Sequence, residues 1–397
     1  MNKTTYLAEL AIYLKRLPKA DFDDCMAYFI ELFEDAGPEG EAELIASLGT
    51  PQEAAAEILD QILEKEIEKV EVTNSKDRYV SVNLPDFDRI TFDLVNLDVL
   101  VSQSEDDQYS LSYFKPQDGK QLPFDYQVVD GQLQLRSVEE KEKRKYSFSL
   151  FSSLMRLNWA THTLVIKMPK GSALQQLEGR LGAGDLTVQD MVIEEGQLST
   201  GAGDLNLTGL EARSLSCQTG SGEISLQASQ VSRAQLATGA GDMDLSHVRL
   251  EGGKLSTGAG DLSIKDSQLT DVKLELASGD MEIGRSQLSQ LSGQLAAGDI
   301  VLVDTSIDTV TLSLLSGDIS AKYLIFVGEI NLSTLSGDIE IAGLNQLLDQ
   351  LSLEVKVDFG GLDLSWDQAS RKIYQHQVSN PIAKIGLSSK MGDISLT

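Results

Sequence analysis

"LSTGAGDL" fills residues 198–205 and returns unchanged in length and spacing at 255–262. Relatives of it lie between and beyond: "CQTGSGEI" from Cys217, "LATGAGDM" from Leu236, "LELASGDM" from Leu274 and "LSLLSGDI" from Leu312. With the carboxylate after the glycine as a marker, the copies align at Asp185, Asp204, Glu223, Asp242, Asp261, Asp280, Asp299, Asp318 and Asp338. The spacing is 19 residues seven times and then 20 once. A fixed period held this long is the signature of a repeat architecture. "FGGLDL" at 359–364 and "MGDISL" at 391–396 read as degenerate final copies.

Each copy carries the same apolar pattern. One residue after the marker stand Leu186, Leu205, Ile224, Met243, Leu262, Met281, Ile300, Ile319 and Ile339. Three after it stand Val188, Leu207, Leu226, Leu245, Ile264, Ile283, Leu302, Ala321 and Ile341. Apolar residues two apart, with polar ones mostly between, predict a short half-buried strand. A further column thirteen after the marker holds Leu198, Cys217, Leu236, Leu255, Leu274 and Leu312, with Gly293 as its exception. No stretch within a copy is long enough for a helix, and such a unit buries its apolar face only by stacking on the next copy. The expected fold of 173–397 is therefore a right-handed parallel β-solenoid (β-helix) with about 19 residues per coil, right-handed by the general rule for parallel connections. About eleven coils at ~4.8 Å each would make a rod on the order of 50 Å. A propeller blade needs about twice this period.

The glycines bracket a sharp corner, and the carboxylate after them suits an acceptor for backbone N–H groups there. Thr200, Thr219, Thr238 and Thr257 precede the corner, and Leu276, Leu295 and Leu314 then take over that column. The corner is thus expected to change from hydroxyl-supported to apolar. Stacked carboxylates ~4.8 Å apart repel by roughly 0.9 kcal/mol in bulk water and about 3.5 kcal/mol at an effective dielectric of 20. The column must therefore face solvent, be tied by backbone donors, or hold cations. Calcium β-rolls use a nine-residue repeat that this sequence lacks.

Two other regions precede the repeat. Residues 1–70 read as an acidic helical bundle. Leu7, Leu10, Leu14 and Leu17 stand at helical spacing, as do Phe22, Met26, Phe29 and Phe33; Thr50, Pro51 and Glu53 open the last helix as a capping box. Residues 71–172 switch to a strand period in "RITFDLVNLDVLVSQ" and "YSLSYF", an irregular β region leading into the solenoid. Within it "KEKRKYSFSLFSSLMRLNW" at 141–159 is basic, then aromatic and apolar. It reads either as a strip for peripheral membrane contact or partner docking, or as an edge strand and loop. The fold class is therefore mainly β with a small α domain.

The 397 residues carry a formal net charge of −28. That argues against nucleic acid and leaves cationic partners open. No apolar run is long enough to span a membrane, and the first residues lack the core of a secretory signal. By these signs the chain is cytoplasmic, or leaves the cell by a route the sequence does not display. Cys25 and Cys217 form no CxxC, and Cys217 sits in the leucine column, so each reads as a small buried hydrophobe. His162, His247 and His376 show no ligand spacing, and neither a GxSxG nor a P-loop is present. Neither a catalytic residue nor a cofactor or metal is expected, and a carbohydrate-active site would have to break a repeat that is too regular to contain one.

Residues 1–69 resemble the HAAS-type helical domain in Leu17-Pro18, Glu31, Phe33, Asp35, Leu48-Gly49 and Pro51. Residues 71–397 resemble the bacterial adhesin-type β-strand-repeat family, with Ser316-Gly317-Asp318 and Ser336-Gly337-Asp338 as clear instances of its S-G-D-I coil. The pairing resembles LiaX-type envelope-stress proteins of Gram-positive bacteria. That resemblance implies binding of cationic antimicrobial peptides such as daptomycin, control of a membrane-bound signalling partner, and cell-surface exposure without a classical signal. The function expected is a non-enzymatic sensing and regulatory protein, with a passive scaffold or adhesin as the alternative. The nine marker carboxylates are the candidate cationic-ligand residues.

Overall fold

The computed structural model describes 79–104, 107–114, 122–138, 163–367 and 371–397, together with scattered residues of 1–51. The chain forms two units, Met1–Val80 with Glu139–Thr161, and Ser81–Val138 with His162–Thr397. In the first unit Tyr6, Leu7, Leu10, Met26, Phe29, Phe33, Leu44, Leu48 and Pro51 have helical backbone. Tyr6 and Phe33 pack ring against ring at 5.5 Å. No whole helix falls within the described residues, so the bundle expected over 1–70, Cys25 and the 141–159 strip all lie outside them.

In the second unit each 19-residue copy folds as one coil of two strands. Leu205–Thr208 is a four-residue strand and Glu211–Thr219 a nine-residue one. Every short strand pairs in parallel with the short strand one copy away, as Leu205↔Leu186 and Leu205↔Ile224. The long strands do the same, as Val192↔Glu211 and Thr200↔Thr219. The offset of 19 puts like residues side by side, which is the stacked ladder expected from the period. Burial alternates along both strands, BeBe in Leu205–Thr208 and eBeiBiBeB in Glu211–Thr219. The residues one and three after the marker are buried in every copy and face the long strands' Ala212, Leu215 and Cys217 and their counterparts. Gly293, the gap in the leucine column, leaves room for its neighbour: a Cβ there would lie 2.5 Å from Leu312 Cδ2.

The short strands belong to a fifteen-stranded sheet, of which all but Tyr79–Asn83 and Ser110–Phe114, the two strands at one end, form one parallel run of thirteen. Twelve steps of ~4.8 Å give a stack of about 58 Å, longer than eleven coils would. The long-strand sheet splits locally into two tracks, because Glu251–Gly252 and Asp271 interrupt single strands; the tracks rejoin at Gln287–Ala297. No pairing joins its outer strands Phe124–Val129 and Ile373–His376, so the ring of pairings is this split and not a closed barrel.

The extra coils come from sequence that has lost the period, and they are out of chain order. Arg89–Leu94 and Asp98–Gln103 lie between the coil of Gln132–Ser137 and Thr163–Met168 and the coil of Ala173–Leu181 and Leu186–Gln189. At the other end Ala383–Met391 and Ile394–Leu396 lie between Ile325–Ser336 with Ile339–Ala342 and Leu351–Phe359 with Leu362–Leu364. "MGDISL" therefore precedes "FGGLDL" in space. Antiparallel strands, Phe124–Val129 and Ile373–His376, cover both outer edges of the long-strand sheet. Covered edges resist strand addition by other chains.

Each coil turns two corners. One is the glycine–carboxylate corner. The other, five residues after the marker, holds a left-handed backbone in every copy: Asp190, Gly209, Ala228, His247, Asp266, Arg285, Asp304, Tyr323 and Gly343. Only two of the nine are glycine, so the sequence gives no sign of this column.

Candidate functional site

The marker carboxylates line up along one edge of the ladder. Asp185 and Asp204 are half-buried, and the seven from Glu223 to Asp338 are exposed. The glycine before each of them is set by space. At Gly222 a Cβ would lie 1.9 Å from the carbonyl oxygen of Gly203 one coil away, and the same clash recurs up the column.

The carboxylates bond to the next coil and not to their own corner. Asp185 N donates to Asp98 Oδ1 at 2.9 Å, Asp204 N to Asp185 Oδ1 at 2.9 Å, and Glu223 N to Asp204 Oδ1 at 2.9 Å. Asp261, Asp280, Asp299 and Asp318 donate likewise to Asp242, Asp261, Asp280 and Asp299, each at 2.8 Å. Asp338 N reaches Asp318 Oδ1 at 2.7 Å, Asp393 N reaches Asp338 Oδ1 at 2.6 Å, and Gly361 N reaches Asp393 Oδ1 at 2.6 Å. Asp98 and Asp393 thus extend the column beyond the nine residues legible from the period. A hydrogen bond to an ionised acceptor is about twice as strong as a neutral one, which offsets the repulsion between stacked charges.

One rung is missing among the described residues, from Asp242 to Glu223. Glutamate is the single longer side chain in the column. Its carboxyl, exposed but partly screened from water by the neighbouring corners, is pushed above the ordinary 4.5, first by that partial desolvation and then by the charges of Asp244, Asp204 and Asp242.

Behind the carboxylates the threonine column closes the corner. Thr200 Oγ1 accepts from Gly203 N at 3.1 Å and donates to Gly184 O at 3.1 Å; Thr219 and Thr238 repeat both bonds. From Leu276 the strand runs on to Ser278, and the corner narrows to a single left-handed glycine: Gly279 (φ 115°), Gly298 (131°), Gly317 (129°), Gly337 (140°). Leu276, Leu295 and Leu314 are buried where the threonines stood. The change of corner expected from the sequence is present.

The narrower corner leaves apolar side chains exposed beside the acids, which sequence reading did not single out. Leu315 (57% exposed), Leu335, Met391 and Phe359 (72%) stand along the stretch of Asp299, Asp318, Asp338 and Asp393, with Met391 paired directly to Phe359. For Leu315 and Leu335 the signal in sequence is the replacement of alanine by leucine three residues before the marker, where Ala277 and Ala296 stand in earlier copies; Met391 and Phe359 lie one position nearer the corner, in register with Ser336. A shallow surface depression is lined by Asp242, Asp244, Asp261, Asp280, Glu282 and Lys265. Among the described residues no cluster of His, Cys, Asp or Glu has a metal-holding arrangement. Cys217 is buried, and burial alone pushes its thiol up.

The model of the toastrack DUF4097 family matches residues 87–286 and 247–397, and that of the HAAS family matches 5–57. Among solved structures, a "putative adhesin" from Bacteroides fragilis is 14% identical, with 80% of this chain and 96% of that one covered and a TM-score of 0.36. A second "putative adhesin", from Parabacteroides merdae, is 12% identical, with 64% and 95% covered and a TM-score of 0.41. No curated protein matches the chain.

Proposed function

This chain belongs to the toastrack DUF4097 family, and on that premise we propose that it is a non-enzymatic scaffold or adhesin, a ladder that holds a fixed surface out to macromolecular partners. The observation that carries the reading is the fate of the carboxylates. Acid–base work on a glycan needs two carboxyl groups facing one another across a bound sugar. Here the recurrent carboxylates share one edge, and all but Glu223 accept the backbone N–H of a neighbouring coil. Incubation of the purified chain with acidic polysaccharides should release no reducing ends. Release that disappears in an Asp280→Asn variant would refute the scaffold.

A second reading is favoured by the acid-and-apolar strip. Exposed Leu315, Leu335, Met391 and Phe359 beside the carboxylate column suit a cationic amphipathic ligand, with charge and apolar surface both complementary. This is the reading to which the LiaX-type resemblance points, as a surface-associated envelope-stress regulator that takes up cationic antimicrobial peptides and acts on a membrane-bound signalling protein. Among the described residues no helix is long and apolar enough to cross a membrane. Titration calorimetry with a cationic amphipathic peptide should give salt-dependent binding that weakens in a Leu315→Ser, Leu335→Ser variant. The absence of heat at low salt would leave the passive scaffold alone. Antibody access to the chain on intact cells tests surface exposure.

A further inference from the structure

The coil made by residues 383–397 occupies a place that its neighbours leave open. The chain from Ile325 to Leu364 supplies two coils, and between them the seven-residue 3-10 turn Leu344–Gln350 skips one coil position. Without 383–397 the two coils would stand two strand spacings apart, ~9.6 Å. Each would then present an unpaired parallel edge in both sheets. The inserted coil completes every column of the ladder on both sides. Asp393 takes its place in the carboxylate row between Asp338 and Gly361. Ser389 Oγ donates to Gly337 O at 3.1 Å, as the threonines do elsewhere. Ala383, Ile385, Leu387, Ile394 and Leu396 are all at most 2% exposed. Gly392 lies between two backbones, its would-be Cβ 2.0 Å from Gly337 O, and the Cβ of Gly360 would in turn lie 2.1 Å from Gly392 O. The linker 377–382 leads into it from the outermost strand, exposed or half-buried throughout, and is held by Val378 N to Ser352 Oγ (3.1 Å) and Ile382 N to Gln350 O (2.8 Å).

We infer that this gap is a strand-accepting site whose ligand is the 383–397 segment, and that a second copy of the chain is the partner it fits, the two copies exchanging these segments. The strand pairing and the buried side chains in the slot come from 383–397, and the linker adds only Val378 N to Ser352 Oγ and, at the entrance, Ile382 N to Gln350 O and Gly328 N to Ile382 O, so the same segment from another copy makes the same pairing. Exchange of an identical element is a low-cost route to association.

The test uses the full chain with a protease site placed between Ser379 and Asn380 and then cleaved. The nicked protein is unfolded in urea and refolded with a tenfold excess of fluorescent 383–397 peptide. The expected result is label on about nine in ten folded bodies, with a Gly392→Val peptide incorporated at least ~tenfold less. A parallel refolding of two differently tagged intact chains at high concentration should yield a mixed dimer that one tag captures with the other. A body that refolds with no peptide bound overturns the proposal, as does equal uptake of the Gly392→Val peptide. A body that fails to refold even with unlabelled wild-type peptide overturns it too, because the segment is then no separable ligand. Label uptake without any mixed dimer removes the second copy as partner.

Discussion

Replacing Asp280 separates the two forces acting in the carboxylate column. Its Oδ1 accepts Asp299 N at 2.8 Å, while its own N donates to Asp261 Oδ1 at 2.8 Å. A bond to an exposed ionised acceptor contributes about 1.5 kcal/mol, the low end for charged groups. Against it stand two like charges one coil away. Each repels by ~0.9 kcal/mol in water, falling to ~0.5 kcal/mol at 0.15 M salt and ~0.2 kcal/mol at 1 M. Asp280→Ala removes the bond and both repulsions. It should be near neutral or slightly stabilising at 10 mM salt, destabilising by ~0.5 kcal/mol at 0.15 M, and by about 1 kcal/mol at 1 M. Asp280→Asn keeps a neutral bond of roughly half the strength. It should stabilise by ~1 kcal/mol at 10 mM and become slightly destabilising at 1 M, changing sign between. Urea unfolding at the three salt concentrations reads both series. If the two variants lose the same stability at every salt concentration, the carboxylate acts through neither term and the ladder argument fails.

Glu223→Gln should raise stability at neutral pH, because the folded carboxyl is held above its ordinary 4.5 and its ionisation therefore costs the folded state. The gain over wild type should shrink as pH falls through that raised value and vanish below 4.5, read as the difference in urea midpoint between the two proteins. Gly222→Ala places a Cβ 1.9 Å from Gly203 O, so the two coils must part, at a cost of about 1–3 kcal/mol in thermal or urea unfolding. Ala228→Gly should stabilise by up to ~1 kcal/mol: left-handed backbone at φ 47° costs an alanine about 1–2 kcal/mol, and the added freedom of unfolded glycine returns ~0.4–1 kcal/mol. In a Cys25→Ser background the Cys217 thiol should react with Ellman's reagent only at the rate of unfolding, since it is 1% exposed.

The central coils were legible because their chemistry repeats with a single offset. The buried columns after the marker, the threonine-to-leucine change and the alignment of acids all follow once one copy is read against the next. The partner of each carboxylate was not legible, since a donor in the same corner and one 19 residues away satisfy the same sequence pattern. Nor was the second corner, where Ala228, His247, Arg285 and Tyr323 adopt a conformation usually given to glycine. Tertiary stacking imposes that backbone on whatever residue stands there. The transposed coils were hidden for a different reason. Residues 89–103 and 132–168 have apolar alternation but no fixed offset from the rest, and alternation alone specifies a strand without naming its neighbour. The exposed Leu315 and Leu335 differ from their alanine counterparts by side-chain size alone, and composition gives no hint that this size faces solvent.

The bonds of the carboxylate column all point one way, backbone N–H of one coil to side chain of the coil before it, and each rung depends on its two neighbours alone. A further 19-residue block set in after Asp280 would find an acceptor below and a donor above identical to those already in place. Loss of such a block would rejoin Asp261 to Asp299 with equal ease. The column therefore sets no limit of its own on the number of coils, and the reach of the molecule is a quantity that can be adjusted in increments of one coil without redesigning any rung.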